Sequence, residues 1–302
     1  MTTDSTLNWP IEQACPDAAT HNWSQPHSNI CLDFHGDPCR AKLVVFSDGN
    51  HHMALEQCLK LFLQHYPQTE DIFYATTPPA VLLQIIKQGE MRMGNLTLSR
   101  QPDIFIGPQN ILMQLQQDGL VAEPQPFMQS RCNVMLVAHD NPKNIQGIAD
   151  LLKDDVKLFM SNPETEKASY QVYVETIFGL AEEQRRDIEA FKQLFTMDTD
   201  KVVYGERIHH RELPQCIADG QADVAVVYYH LALRYTRIFP GLFSIIPLGG
   251  NSDEPQATPA HHITNYYAGI INTDNELSPA LMSHLLSDQT TDIYTYHGLV
   301  RP

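Results

Sequence analysis

Short apolar runs alternate with stretches in which apolar residues return every third or fourth position, from Lys42 to the end of the chain. The first run, Leu43-Val44-Val45-Phe46, has the uninterrupted, β-branched character of a strand buried on both faces. Ser47-Asp48-Gly49-Asn50 follows, a turn of residues that cap helices and tolerate tight backbone. Leu55, Cys58, Leu59 and Phe62 then fall at i, i+3, i+4 and i+7, which marks one buried face of a helix, and Pro67 closes it. Strand, polar turn and helix in this order aim backbone N–H groups and the positive end of a helix dipole at one point. Such a turn either seats an anion or merely connects two elements.

The unit recurs. Asp71 to Ala75 reads as a strand, with Thr77 as an N-cap before Pro78-Pro79 and a helix through Ala80, Leu83, Ile86 and Lys87. Pro102 to Gly107 is a buried strand followed by a helix over Gln109–Gln117. Further on, Arg131–Ala138, Val156–Met160, Asp223–Tyr228 and Asn265–Ile271 read as strands. The turn Ser161-Asn162-Pro163-Glu164 leads into a helix carrying Tyr170, Val174, Ile177 and Phe178. A charged, solvated helix is expected over 182–194, another over Arg211–Asp219, and one closing helix over Pro279–Tyr296. Alternation of this kind gives parallel sheets with helices on both faces.

Composition narrows the partners. The 302 residues are 43% hydrophobic, enough for a core, and carry a formal net charge of -16 with a pI near 5.2. That balance argues against nucleic acid or an anionic membrane surface, though not against a small anion held by neutral donors. No apolar run approaches the ~18 residues of a membrane span. The N-terminus as written has neither a basic n-region nor an apolar h-region, which points to the cytoplasm. Six cysteines suggest no disulfide framework. Residues 1–41 form a polar arm without periodicity, and Cys15, Cys31, His35 and Cys39 there offer zinc donors in none of the common spacings. The plainer reading is an extension laid across the surface.

The ordered series VVFSDGNHHMALEQ, QPDIFIGPQ, CNVMLVAHDNP, SNPETEKASYQ, GQADVAVVYYHLA and IYTYHGL resembles the type II periplasmic solute-binding proteins, specifically the molybdate/tungstate-binding subunits of ABC importers. The resemblance runs from about Lys42 to the C-terminus. It implies an α/β fold of two Rossmann-like lobes joined by a two-strand hinge, with the ligand cleft between them. The lobes would be 42–125 plus 273–302, and 126–272. It implies capture of a small oxyanion by hinge closure for transport or sensing, without enzyme chemistry or a cofactor, by a monomer that works with an ABC permease in the periplasm. Carried over position by position, the ligand contacts fall on Asn50, on Thr77 or its neighbour Pro78, on Ala168, on His210 and on Tyr228. The turns that choose the ligand differ from the family's pattern. Asp48 to His52 replaces a small-hydroxyl turn, and Thr76-Thr77-Pro78-Pro79 replaces a serine-rich one.

A rival reading lies in the same turns. Gly49-Asn50-His51 resembles the glycine-polar-histidine turn of ferric-iron-binding proteins, and Tyr228-Tyr229 resembles their paired tyrosines. Phenolates and an imidazole suit Fe(III) or another transition metal. That reading makes His51, Tyr228 and Tyr229 metal ligands, with His52, His209, His210 and His230 at the same cleft rim. A third reading is a cytoplasmic sensor or enzyme on this fold. It lacks any Ser-His-Asp or Cys-His arrangement and any phosphate-cradling glycine loop.

Overall fold

A computed structural model describes residues 33–93, 96–196, 200–206 and 208–302. They form two compact α/β units: the first holds the described residues up to Gln129 together with Thr264–Pro302, and the second holds Ser130–Ile263.

In the first unit the chain runs β1 (Phe34–His35), β2 (Leu43–Ser47), a 3-10 turn (Gly49–His51), α1 (His52–His65), β3 (Ile72–Ala75), α2 (Pro79–Gln88), a hairpin of β4 (Met91–Met93) and β5 (Leu96–Leu98), β6 (Ile104–Pro108), α3 (Gln109–Gln117) and β7 (Gln125–Ser130). In the second it runs β8 (Asn133–Ala138), β9 (Leu158–Met160), α4 (Lys167–Glu183), α5 (Ile188–Thr196), β10 (Val202–Tyr204), α6 (His209–Ala218), β11 (Val224–Tyr228), α7 (Tyr229–Ile238) and β12 (Phe243–Pro247). It then returns to the first unit as β13 (Asn265–Ile270), α8 (Ser278–Leu285), α9 (Asp288–Tyr296) and β14 (Leu299–Val300).

The first unit's sheet has the order β1-β3-β2-β6-β13-β7-β14. Strands β3, β2 and β6 are parallel, so all three end at one edge. Every residue of β2 is buried. Leu43 and Val45 join the core that α1, α8 and α9 cover, while Val44 and Phe46 join the core under α2 and α3. An all-apolar strand is therefore used on both faces. Asp103 pins this strand from its neighbour: its Oδ2 accepts the Val44 N–H at 2.7 Å and its Oδ1 accepts the Asn272 amide at 2.8 Å. The second unit's sheet is β10-β9-β11-β8-β12, with β10, β9 and β11 parallel.

Several expectations are corrected by these pairings. The expected boundaries at 125/126 and 272/273 move to 129/130 and 263/264, because β13 is hydrogen-bonded to β6 and β7 and so belongs to the first unit. The arm over 1–41 is not wholly an extension: Phe34–His35 pairs antiparallel with β3, and His35 is buried with its ring 4.3 Å from that of Tyr74. Cys15 and Cys31 lie outside the described residues; Cys39 is free and exposed, so the described part of the arm assembles no zinc site. The closing helix is two, broken where the Ser287 hydroxyl accepts the Thr290 N–H and caps α9. The charged helix over 182–194 is likewise split between α4 and α5, and Phe191 and Leu194 bury its inner face. No helix among the described residues is long and apolar enough to cross a membrane.

Candidate functional site

At the edge where β2, β3 and β6 end, the chain turns into α1, α2 and α3, so three helix N-termini start there. Asp48 leads into the first. Its Oδ1 accepts the Asn50 N–H at 2.8 Å and caps the 3-10 turn that runs on into α1. Burial pushes the Asp48 carboxyl up to about 6, and the Asn50 hydrogen bond works against that. Asn50 is half-buried, and its backbone donor is committed to this cap. The next turn carries Thr77, half-buried, between Thr76, whose N–H binds Asp33 O at 2.8 Å, and two prolines that offer no N–H. Gly49 lets these two turns meet, since a Cβ there would stand 2.5 Å from the Thr76 carbonyl oxygen. Asn50 and Thr77 are thus brought to one edge.

His51 is not at that edge. Its side chain is fully buried in the unit's aromatic core, 4.9 Å from the Tyr266 ring centroid and near Phe127, with Nδ1 3.0 Å from the Tyr294 hydroxyl. Burial, helped by His52, lowers its pKa to about 3. The expectation of a rim metal ligand is corrected: the imidazole is a packed neutral ring.

In the second unit, α4, α6 and α7 start where β9, β10 and β11 end. Ala168 is exposed at the second position of α4, where the backbone N–H has no carbonyl one turn back within the helix. His210 is the half-buried second residue of α6, and Tyr228 is the buried last residue of β11 and the N-cap of α7. Side chains tie these starts together. Glu166 Oε2 accepts the His209 N–H at 2.9 Å, linking α4 to α6. The Tyr173 ring lies 5.1 Å from His209 and 5.4 Å from Tyr228. The unit therefore gathers Ala168, His210 and Tyr228 at one sheet edge.

Tyr229, expected as a second metal phenolate, is buried at the first position of α7, with the Arg131 guanidinium 5.8 Å from its ring centroid. His209 lies flat on Phe159 at 5.2 Å, fully buried, and His230 is buried with its ring stacked 5.1 Å from Tyr228. Burial lowers the His209 pKa to about 3. His52 Nδ1 is engaged with Gly49 O at 2.8 Å. Three of the five expected rim histidines are thus core residues. Among the described residues no group of three or more His, Cys, Asp or Glu side chains is placed to hold a metal. Both His51 and His209 are expected to remain neutral at pH 5, since a folded-state pKa depressed below 6.5 means that the unfolded chain takes the proton first and stability is lost as pH falls. Long-range nitrogen–proton NMR spectra of the imidazoles check this.

The α6 start also depends on a distant hydroxyl. Pro214 inside α6 has no N–H for the His210 carbonyl, and the Tyr235 hydroxyl from α7 donates to that carbonyl instead. Tyr235→Phe is expected to cost about 1–2 kcal/mol in urea unfolding by leaving the carbonyl without this donor. In a Pro214→Ala background, which restores an N–H, the cost should shrink.

Sequence reasoning missed Glu166: the turn singled out in the sequence ends at Glu164, two residues earlier. Glu164 is exposed, its N–H accepted by Asn162 Oδ1 at 2.9 Å. The Asn162 turn was readable, but not which glutamate reached the next helix. It also missed the buried Ser161 hydroxyl at the end of β9.

The family model described as bacterial extracellular solute-binding protein matches residues 43–300. Among solved structures, the substrate-binding domain from Clostridium difficile described as belonging to a molybdenum ABC transporter is similar over 86% of this chain and 98% of its own, at 17% identity and a TM-score of 0.59. The periplasmic molybdate-binding protein of Azotobacter vinelandii is similar over 86% and 99%, at 13% identity and 0.60. A ferric binding protein from Campylobacter jejuni is similar over 86% and 86%, at 15% identity and 0.57. At these identities the likeness speaks for the type II fold. No curated protein sequence matches the chain.

Proposed function

The chain belongs to the bacterial extracellular solute-binding protein family, and on that premise we propose that it binds a small oxyanion of the molybdate or tungstate kind, for ABC-type transport or sensing alongside a permease. The observation that carries this reading is the second unit's edge. There Ala168 is exposed at a helix start on the same sheet edge as His210 and Tyr228, and the buried His209 imidazole is neutral. Helix starts with neutral N–H and hydroxyl donors suit a dehydrated anion. In the first unit Asn50 and Thr77 offer side-chain donors at the corresponding edge. The metal reading keeps Tyr228 but loses His51 to the core and depends on a Tyr229 that is buried under Arg131. A binding role without catalysis accords with the family.

Thermal melting with molybdate, tungstate, sulfate, phosphate, Fe(III)-citrate, Zn(II) and Ni(II) tests the proposal. A ligand bound by the native state alone raises the midpoint by mass action. A rise with tetrahedral oxyanions is expected. A rise with Fe(III)-citrate or the divalent metals, and none with any oxyanion, would overturn the reading.

A further inference from the structure

This inference rests on the oxyanion reading above. Glu166 is the N-cap residue of α4, yet its side chain serves the neighbouring helix, holding the first amide of α6 at 2.9 Å. The positive end of α6 thus already bears one of the chain's own carboxylates. The same sheet edge holds buried polar groups that lack hydrogen-bond partners: the hydroxyl of Ser161, which follows β9, and both ring nitrogens of His209, which opens α6. A neutral imidazole carries one N–H and a hydroxyl one O–H, so two buried donors stand there without acceptors. An ionised carboxylate on the α6 helix start would repel an anion bound at this edge.

We propose that Glu166 is an internal counter-anion that must take up a proton before an oxyanion occupies this edge, so that anion binding is coupled to proton uptake. The groups facing it are few. Glu212 on α6 acts on it through space and itself holds the Glu206 N–H at 2.9 Å. The Tyr173 phenol of α4 lies within its field, the His209 imidazole is neutral, and the Asn162 backbone both accepts the Glu166 N–H and, by hydrogen bonding to the carboxyl, works against the upward push of burial. Among the described residues no cation pairs with Glu166. Burial accordingly pushes its carboxyl up to about 7; the His209 amide opposes that and Glu212 adds to it. Asp48, the carboxylate on the first unit's helix start, titrates lower, at about 6.

Calorimetric titration with molybdate and with sulfate at pH 6, 7 and 8 tests the coupling. Wild type is expected to bind about tenfold more tightly at pH 6 than at pH 8, and to take up close to one proton per anion at pH 8, read from the dependence of enthalpy on buffer ionisation. Glu166→Gln keeps an oxygen for the His209 amide but carries no charge. It is expected to bind at pH 8 about as tightly as wild type does at pH 6, with the pH dependence largely gone. Wild-type affinity that ignores pH, with no proton taken up, would overturn the coupling and leave the oxyanion reading standing. Absence of binding by either protein at every pH would overturn both.

Discussion

Replacing Ala168 by proline is expected to weaken oxyanion binding about thirtyfold while leaving the fold in place. The second position of a helix has no intrahelical use for its N–H, so proline there removes a donor aimed outward and little else. The chain already tolerates this arrangement: Pro279 occupies the second position of α8, and Pro79 opens α2. The lost interaction is one hydrogen bond to a charged acceptor, ~2 kcal/mol, which sets the thirtyfold figure. Titration calorimetry against tungstate, with a urea unfolding curve on the same sample, separates lost affinity from lost structure. Unchanged affinity would remove Ala168 from the site.

Gly49→Ala is expected to cost about 3 kcal/mol of stability. The new methyl would stand 2.5 Å from the Thr76 carbonyl oxygen, and that neighbour is backbone, fixed because the Thr76 N–H is itself held by Asp33 O. Relief requires the turn after β2 to move away from the turn after β3, an overpacking displacement in a region buried on both sides. Asn50 and Thr77 would be driven apart with it. Gly147→Ala supplies the control: its backbone is extended and an added Cβ meets nothing within 4 Å, so a change within ~0.5 kcal/mol is expected. Midpoints of urea unfolding compare the two.

The elements that could be read in the sequence are those whose pattern is local. Leu43 to Phe46 announces a doubly buried strand through four adjacent apolar residues, and α3 was readable over Gln109–Gln117 from its spacing and the preceding Gly107-Pro108 turn. Phe34–His35 was not, because a strand of two residues exists only through its pairing with β3. Periodicity likewise identifies β13 as a strand but says nothing of which sheet it enters; its partners lie more than a hundred residues back, in β6 and β7. The site divides in the same way. The proline pair marks the start of α2, but its N-cap is Pro78 rather than the expected Thr77, and Ala168 was placed at the start of α4 only through the resemblance. Histidine burial is set by remote partners: His51 is enclosed by Tyr266 and Tyr294, and His209 by Phe159 and Tyr173. Runs such as His51-His52 and His209-His210 look polar and accessible in the sequence for that reason. In each pair the fold buries the first ring and leaves the second half-buried.

Crystals grown with tungstate, measured at the tungsten absorption edge, offer the decisive reading of whether this chain holds an oxyanion at these helix starts. One strong anomalous peak per chain, within hydrogen-bonding distance of the Ala168 amide and beside His210 and Tyr228, is the expected result. A fully loaded chain with its peak elsewhere, and no density at those donors, would contradict it.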